Sequence, residues 1–237
     1  MDKVDFSKYL FHPSSLGDIM TESRTKETLG ETCKKHLTEC YVQEKYGRHK
    51  ELVNKYIEKG LAVEEDSITL YSRVKKKFFK KNAEPIKNDF LTGTPDLFEG
   101  ETIQTATRII DIKSSWSIHT FFQTMAKAID KGYFWQLQGY MDLTGAPAAS
   151  LVYCLVNTPE SLVQGEKNSL AWKMAVIDRD ADPLYLEACE AIDKESYFND
   201  IPIEDRWIGF EVQRDQASID RAHERIGECR EFLNKLP

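Results

Sequence analysis

The chain has 237 residues and a formal net charge of −7, enough for one sizeable α/β domain and not clearly two. Hydrophobic content of 41% and aromatic content of 11% exclude an intrinsically disordered chain. No run of about 18 apolar residues occurs, and the start MDKVDFSKYLFHP has no signal-peptide core, so a soluble cytoplasmic protein is expected, without a membrane partner.

His12–Met20, HPSSLGDIM, reads as a loop running into a short helix with Ser14 or Ser15 as its cap and Asp18 in its first turn. The same hydroxyls and free backbone N–H groups can accept a phosphate, so cap and anion site use the same atoms. Thr28–Tyr56 is helical in period, with Leu29, Cys33, Leu37, Cys40 and Tyr41 apolar, then Leu52, Val53, Tyr56 and Ile57; Gly47 divides it. The five cysteines are odd in number and scattered, against a disulfide framework. Cys33, His36 and Cys40 share a helix side but lack a fourth ligand, so a core or surface role is preferred to zinc. Glu64, Ser67, Ile68 and Tyr71 have helical spacing, which lets Glu64 face inward while Glu65 and Asp66 stay wet. A solvated Glu64 is the competing reading. Arg73–Lys81, RVKKKFFKK, sets aromatics among six cations and is either a solvated face or a phosphate-contacting stripe through Lys75, Lys76, Lys77, Lys80 and Lys81.

Phe90–Lys113 carries the densest chemistry. Phe90–Leu91 into Leu97–Phe98, and Ile109–Ile112, read as strands joined by a polar hairpin-like connection containing Gly100. Asp96 closes a Gly-Thr-Pro-Asp turn. Asp111 and Lys113 lie two apart, on the strand face opposite Ile110 and Ile112. A carboxylate and an amine on an otherwise apolar strand are costly to bury unless paired or bound to a metal.

Trp116–Asp130 reads as an amphipathic helix with Phe121, Phe122, Met125, Ala128 and Ile129 inward. Tyr133–Leu143 follows as a second helix on which Tyr133, Gln136 and Tyr140 form one stripe, with Gln138 pointing away. Ala148–Asn157 is a continuous apolar run typical of a central buried strand. Ala171–Ile177 reads as another strand, followed by an acidic turn at Asp178–Asp182 and a helix over Leu184–Ile192. Trp207–Val212 is an edge strand, and Gln216–Leu236 a long helix with Ile219, Ala222, Ile226, Cys229 and Phe232 or Leu233 toward the core. A single domain over 1–237 results, with an N-terminal helical part (1–72), a catalytic core (73–180) and a C-terminal strand and helix (181–237).

The ordered set Glu64-x2-Ser67-x3-Tyr71, Pro95-Asp96, Asp111-Ile-Lys113 and Tyr133-x2-Gln136-x-Gln138, behind HPSSLGDIM, resembles the PD-(D/E)XK nucleases. Within them it is similar to the YqaJ-type viral recombinase group that contains lambda exonuclease, over roughly residues 10–180. The Gln136-x3-Tyr140 spacing is also similar to that of RecB-type nuclease domains. The resemblance implies a restriction-endonuclease-like α/β core, a central mixed sheet flanked by helices. It implies Mg²⁺, replaceable by Mn²⁺, on Glu64, Asp96, Asp111 and the main-chain carbonyl of Ile112. Lys113 would position or deprotonate the attacking water. Gln136 and Tyr140 would support it or touch the scissile phosphate, and Gln138, Ser14 and Ser15 would join the lysine run against DNA.

The activity implied is a 5′→3′ exonuclease of phage recombination acting on duplex DNA ends, with a single-strand annealing protein as partner and a ring-shaped homo-oligomer as the assembly. Such enzymes place a basic residue ahead of the serine-bearing helix start; here that region offers only Lys8 and His12, with Arg24 and Lys26 after it. The alternatives are an endonuclease or a repair or CRISPR-type nuclease of the same fold, and a non-catalytic DNA-end binding protein. No C-terminal cysteine cluster points to an iron–sulfur variant.

Overall fold

The computed structural model describes residues 4–23, 28–50, 55–127 and 129–237. Four strands form the central sheet in the order β3 (Leu97–Glu99), β4 (Arg108–Ser114), β5 (Ala148–Cys154) and β6 (Trp207–Gln213). β3 and β6 run antiparallel to their neighbours, and β4 and β5 are parallel, so the sheet is mixed. A parallel pair cannot be closed by a tight turn. The crossover from β4 to β5 carries α5 (Ile118–Met125) and α6 (Lys131–Thr144).

β5 is central because it offers little but apolar and small side chains to both faces, and only Tyr153 is not fully buried. On one face Ile110 and Ile112 of β4 pack with Val152 and Cys154 against Val63, Ile68, Leu70 and Tyr71, which belong to α4 (Glu64–Lys75) and its N-cap. On the other, Ile109, Ala149 and Leu151 pack under Leu137, Tyr140 and Met141 of α6. The alternation of β4 thus sends its isoleucines at 110 and 112 to one helix layer and turns Asp111 toward the other.

The N-terminal helices α1 (Leu16–Ile19) and α2 (Glu31–Tyr46) share a third core with α9 (Gln216–Lys235), through Leu16, Ile19, Cys33, Leu37, Ala222, Ile226 and Leu233. That core is held to α6 by close backbone contact. A Cβ built on Gly139 would lie 2.7 Å from Leu16 Cδ1, 3.1 Å from Pro13 Cβ and 3.3 Å from Pro13 Cα, so the Leu16 side chain would have to move to admit one. A two-stranded ribbon, β1 (Ile86–Lys87) with β2 (Thr92–Gly93), precedes the Thr-Pro-Asp turn. Gly93 is needed because a Cβ there would meet Pro13 Cδ at 2.9 Å and Tyr140 Cε1 at 3.2 Å.

Gly47 ends α2 in the left-handed conformation with φ +62°, and α3 spans Lys55–Ala62. Leu52 and Val53, assigned to the apolar side of this region, and Ala128, assigned to the helix after Trp116, lie outside the described residues. Other expectations need correcting. Ala171–Ile177 is not a strand. α7 (Glu160–Met174) runs through Ala171 and stops where Ala175 takes a left-handed φ of 53°. Val163 and Ala171 are the buried positions of that helix, while Trp172 and Ile177 are exposed, so the run was apolar without being core. α7 packs on α8 (Pro183–Ser196), capped by Asp182 through the Tyr185 N–H. The helix after Trp116 is shorter than its apolar pattern, and of its inward set Phe121 alone in α5 is buried, with Phe122 and Met125 open to solvent. Neither Ser14 nor Ser15 caps α1: the Ser15 hydroxyl donates to the His12 carbonyl at 2.7 Å, and α1 is a single turn. Among the described residues no helix is long and apolar enough to cross a membrane.

Candidate active site

The end of β4 carries the polar groups of the sheet. Asp111 is 1% exposed, flanked along its own face by Ile109 and Lys113, and roofed by α6. Its Oδ1 accepts a hydrogen bond from Gln136 Nε2 at 2.8 Å, and its Oδ2 lies 2.7 Å from Lys113 Nζ. Tyr133, one turn before Gln136, puts its ring centroid 5.4 Å from the same ammonium. Asp96 approaches from the turn before β3: its Oδ2 accepts the Ile112 N–H at 2.8 Å. Glu64 opens α4 half-buried, between the inward and the solvated readings, with Glu65 and Asp66 exposed beside it. Its Oε2 holds Lys81 Nζ at 2.6 Å. Glu64, Asp96, Ile112 and Lys113 line one cleft of about 670 Å³, whose walls include Lys59, Leu61, Trp116, Thr120, Tyr133 and Tyr153.

The electrostatics follow from crowding acids in a dry place. Burial first, and then the Asp111 charge with a contribution from Glu64, pushes Asp96 up to about 7. Burial also raises Asp111, against the opposing pull of Lys113. Burial works to lower the Lys113 ammonium, but Asp111 and Asp96 outweigh it and the net shift is upward. Tyr140 is raised by burial and by the charges of Asp111 and Asp96. Lys113 therefore stays protonated beside carboxylates that repel one another, which is the condition a cation relieves.

Whether a divalent ion fits can be judged on these atoms. The donors are hard carboxylate oxygens, the class that suits Mg²⁺ or Mn²⁺. Asp111 is buried, Asp96 and Glu64 are half-buried and face the cleft, and the Asp111 charge works against ionisation of Asp96. Among the described residues, no three acidic, histidine or cysteine side chains stand converged as a ready ligand set, since Glu64 is turned to Lys81. The donor chemistry suits a cation, and Glu64 would have to leave Lys81 to join Asp96 and Asp111 on it.

Neither a family model nor a curated protein sequence matches the chain. Solved structures do. A phage-related exonuclease from Haemophilus somnus 129PT is 27% identical, with 96% of this chain and 95% of that one covered and a TM-score of 0.72. The fold of the chain is that of the lambda-exonuclease-like PD-(D/E)XK nucleases. An alkaline exonuclease from Laribacter hongkongensis shares that fold at 15% identity over 96% of this chain and 89% of its own, with a TM-score of 0.63. The same enzyme in complex with dAMP gives a TM-score of 0.61 at 16% identity, over 94% of this chain and 87% of its own.

Within this lambda-exonuclease-like fold, Glu64, Asp96, Asp111, Lys113, Gln136 and Tyr140 come together around one end of β4. Gln138 does not. It is 1% exposed, its Nε2 donates to the Gln213 carbonyl at 2.9 Å, and its Oε1 accepts the Asp215 N–H at 2.9 Å. Both ends of its amide are committed to the β6–α9 junction, which removes it from any DNA-facing role. The basic run is also divided. All five lysines are exposed, but Lys75 Nζ sits 4.0 Å from the Trp207 ring centroid, Lys77 pairs with Glu99 at 3.0 Å, and Lys81 with Glu64.

Two site-building residues, Asn82 and Ser114, escaped the sequence reading. Buried Asn82 donates through Nδ2 to the Pro95 carbonyl at 3.1 Å, and its own N–H donates to the Asp96 carbonyl at 2.8 Å, fixing the turn that aims Asp96. Ser67 and Ser114 hydroxyls meet at 2.7 Å and join α4 to the end of β4. A lone Asn after a lysine run gives no spacing signal. Ser67, one turn after Glu64, did.

Proposed function

We propose that this protein is a Mg²⁺-dependent deoxyribonuclease that digests duplex DNA from its ends, an exonuclease of the phage recombination type. The observation that carries the reading is the buried Asp111 carboxylate paired with Lys113, beside half-buried Asp96, where Asp96 and Lys113 line an open cleft. The likeness of the whole fold to two exonucleases supports it.

Glu64, Asp96 and Asp111, with the main-chain carbonyl of Ile112, would hold the divalent ion. When bound, such an ion polarises the phosphate, makes a water acidic enough to attack, and offsets the charge of the transition state. A general base alone contributes only about 10²–10⁴, far short of what an inert phosphodiester needs. Gln136 fixes the rotamer of Asp111 through Oδ1, leaving Oδ2 to the cleft side where Lys113 lies. The Ile112 N–H and the Asn82 clamp fix Asp96 in the same way. Lys113, held protonated by both acids, orients the scissile phosphate and the attacking water at the ammonium. Tyr133 and Tyr153 wall the cleft beside it and keep that charge poorly solvated.

The test uses linear and covalently closed circular duplex of one sequence. Linear DNA will shorten from its ends while closed circles persist. Cut circles would instead mark an endonuclease of the same fold, and binding to ends without cleavage would mark a non-catalytic protein.

A further inference from the structure

α3 is built against the usual rule for an amphipathic helix. Tyr56, Ile57 and Leu61 are 59%, 40% and 73% exposed, whereas Lys59 is 1% exposed. Long apolar side chains in water and an amine indoors is an arrangement that sequences keep chiefly at functional sites. The Lys59 ammonium donates to the Trp116 carbonyl at 2.9 Å and lies 5.5 Å and 5.6 Å from the ring centroids of Trp116 and Phe198. Both rings are within cation–π reach. Burial lowers the amine to about 8, with Glu166 of α7 the carboxylate whose charge works the other way, so at neutral pH the group is charged.

The two ends of this contact are the two walls of the cleft. Trp116 follows Lys113 by three residues, and its segment runs into the capping box of α5 at Ser117 and Thr120. On the other side the Lys59 carbonyl accepts the Val63 N–H at 3.0 Å, and the next residue is Glu64. The Tyr56 ring also meets Trp116, edge to face, at 5.1 Å. We propose that Lys59 is a positioning residue: it ties α3 to the segment after Lys113 and so sets the separation of the cleft walls and the placement of Glu64. The proposal rests on the nuclease reading for its turnover readout, and on nothing from it for its structural readout.

Methionine fills nearly the same volume without a buried charge, and exchanging buried ions for apolar groups is often neutral or stabilising. Lys59→Met will melt cooperatively at or above the wild-type temperature. Amide exchange across residues 56–62 will be at least about tenfold faster. DNA turnover will fall about tenfold or more, within the roughly 10²-fold that a displacement of about 1 Å costs, with KM changed less than about twofold. Lys59→Arg, which keeps the charge and the donor, will recover both readouts. If Lys59→Met does not fold, Lys59→Gln, which keeps one donor for the Trp116 carbonyl, carries the same test with a smaller effect. Unchanged exchange in α3, or accelerated exchange with wild-type turnover, overturns the proposal. A wild-type protein that cuts no DNA would defeat the nuclease reading, and the exchange comparison would still decide the role of Lys59.

Discussion

Asp111→Asn and Lys113→Ala will each lower DNA cleavage by roughly 10²–10⁴-fold, the range spanned by loss of one positioned acid–base group, while both proteins stay folded. Asparagine preserves the shape of Asp111 and can still take the Gln136 amide, but it lacks the charge that holds Lys113 and would hold a cation. Removing one member of a buried ion pair commonly costs about 3–5 kcal/mol. Two features soften that here. The Lys113 side chain is 28% exposed and can turn toward water, and Asp111 left alone can take up a proton, since burial already raises it. Steady-state digestion of linear duplex, with circular dichroism and thermal melting of the same samples, reads both halves of the expectation. Wild-type turnover in either folded variant would exclude this carboxylate–lysine pair from the chemistry.

The second large effect is on stability, and its sign comes from Asp96. In the unfolded chain an aspartate titrates near its ordinary value of 3.8, and in the fold Asp96 is pushed up to about 7. Between those values the folded protein binds the extra proton, so the contribution is fully present below about pH 4 and is lost as pH rises through 7. The metal-free protein should therefore lose stability from this group between pH 5 and pH 8, where most single carboxylates have nothing left to titrate. A divalent ion held as proposed would bind the ionised acids and replace that loss. At roughly a hundred times its Kd it adds about 2.7 kcal/mol, worth about 5–10 °C in a chain of this size. Melting with Mg²⁺ and with chelator should show that increment at pH 8, a much smaller one at pH 5, and none at either pH in Asp96→Asn. Equal increments at both pH values, or none in the wild type, would remove Asp96 from the cation site.

Much of the site could be read from the residues because the chemistry sits on regular elements. The period-two alternation around Asp111-Ile-Lys113 is enough to place both polar groups on one face, and the 3.6 period through Glu64, Ser67, Ile68 and Tyr71 sets Glu64 on the half-buried side of its helix. The unbroken apolar run at 148–154 has nowhere to go except the middle of the sheet. What failed was of another kind. AWKMAVI at 171–177 is apolar because it ends one helix and covers a turn, and composition alone cannot tell an exposed apolar tip from a short strand. Gln138 is one position round the helix from Leu137, so the spacing that removed it from the Tyr133–Gln136–Tyr140 stripe could not say that a strand end was waiting for both halves of its amide. The clamp from Asn82 to the Pro95 carbonyl spans 13 residues and depends on where the chain folds back. Lys59 was invisible for the reason that makes it informative: a lysine amid Tyr56, Ile57 and Leu61 looks like the wet side of a helix, and the fold inverts it.

The most direct measurement is digestion of an end-labelled linear duplex by the wild-type protein in Mg²⁺, in chelator, and in chelator followed by excess Mg²⁺ or Mn²⁺. Label release in Mg²⁺, its arrest by chelator, and its return on re-addition, all absent in Asp111→Asn, is the predicted result. Release that continues in chelator, or that persists in the asparagine variant, would contradict it.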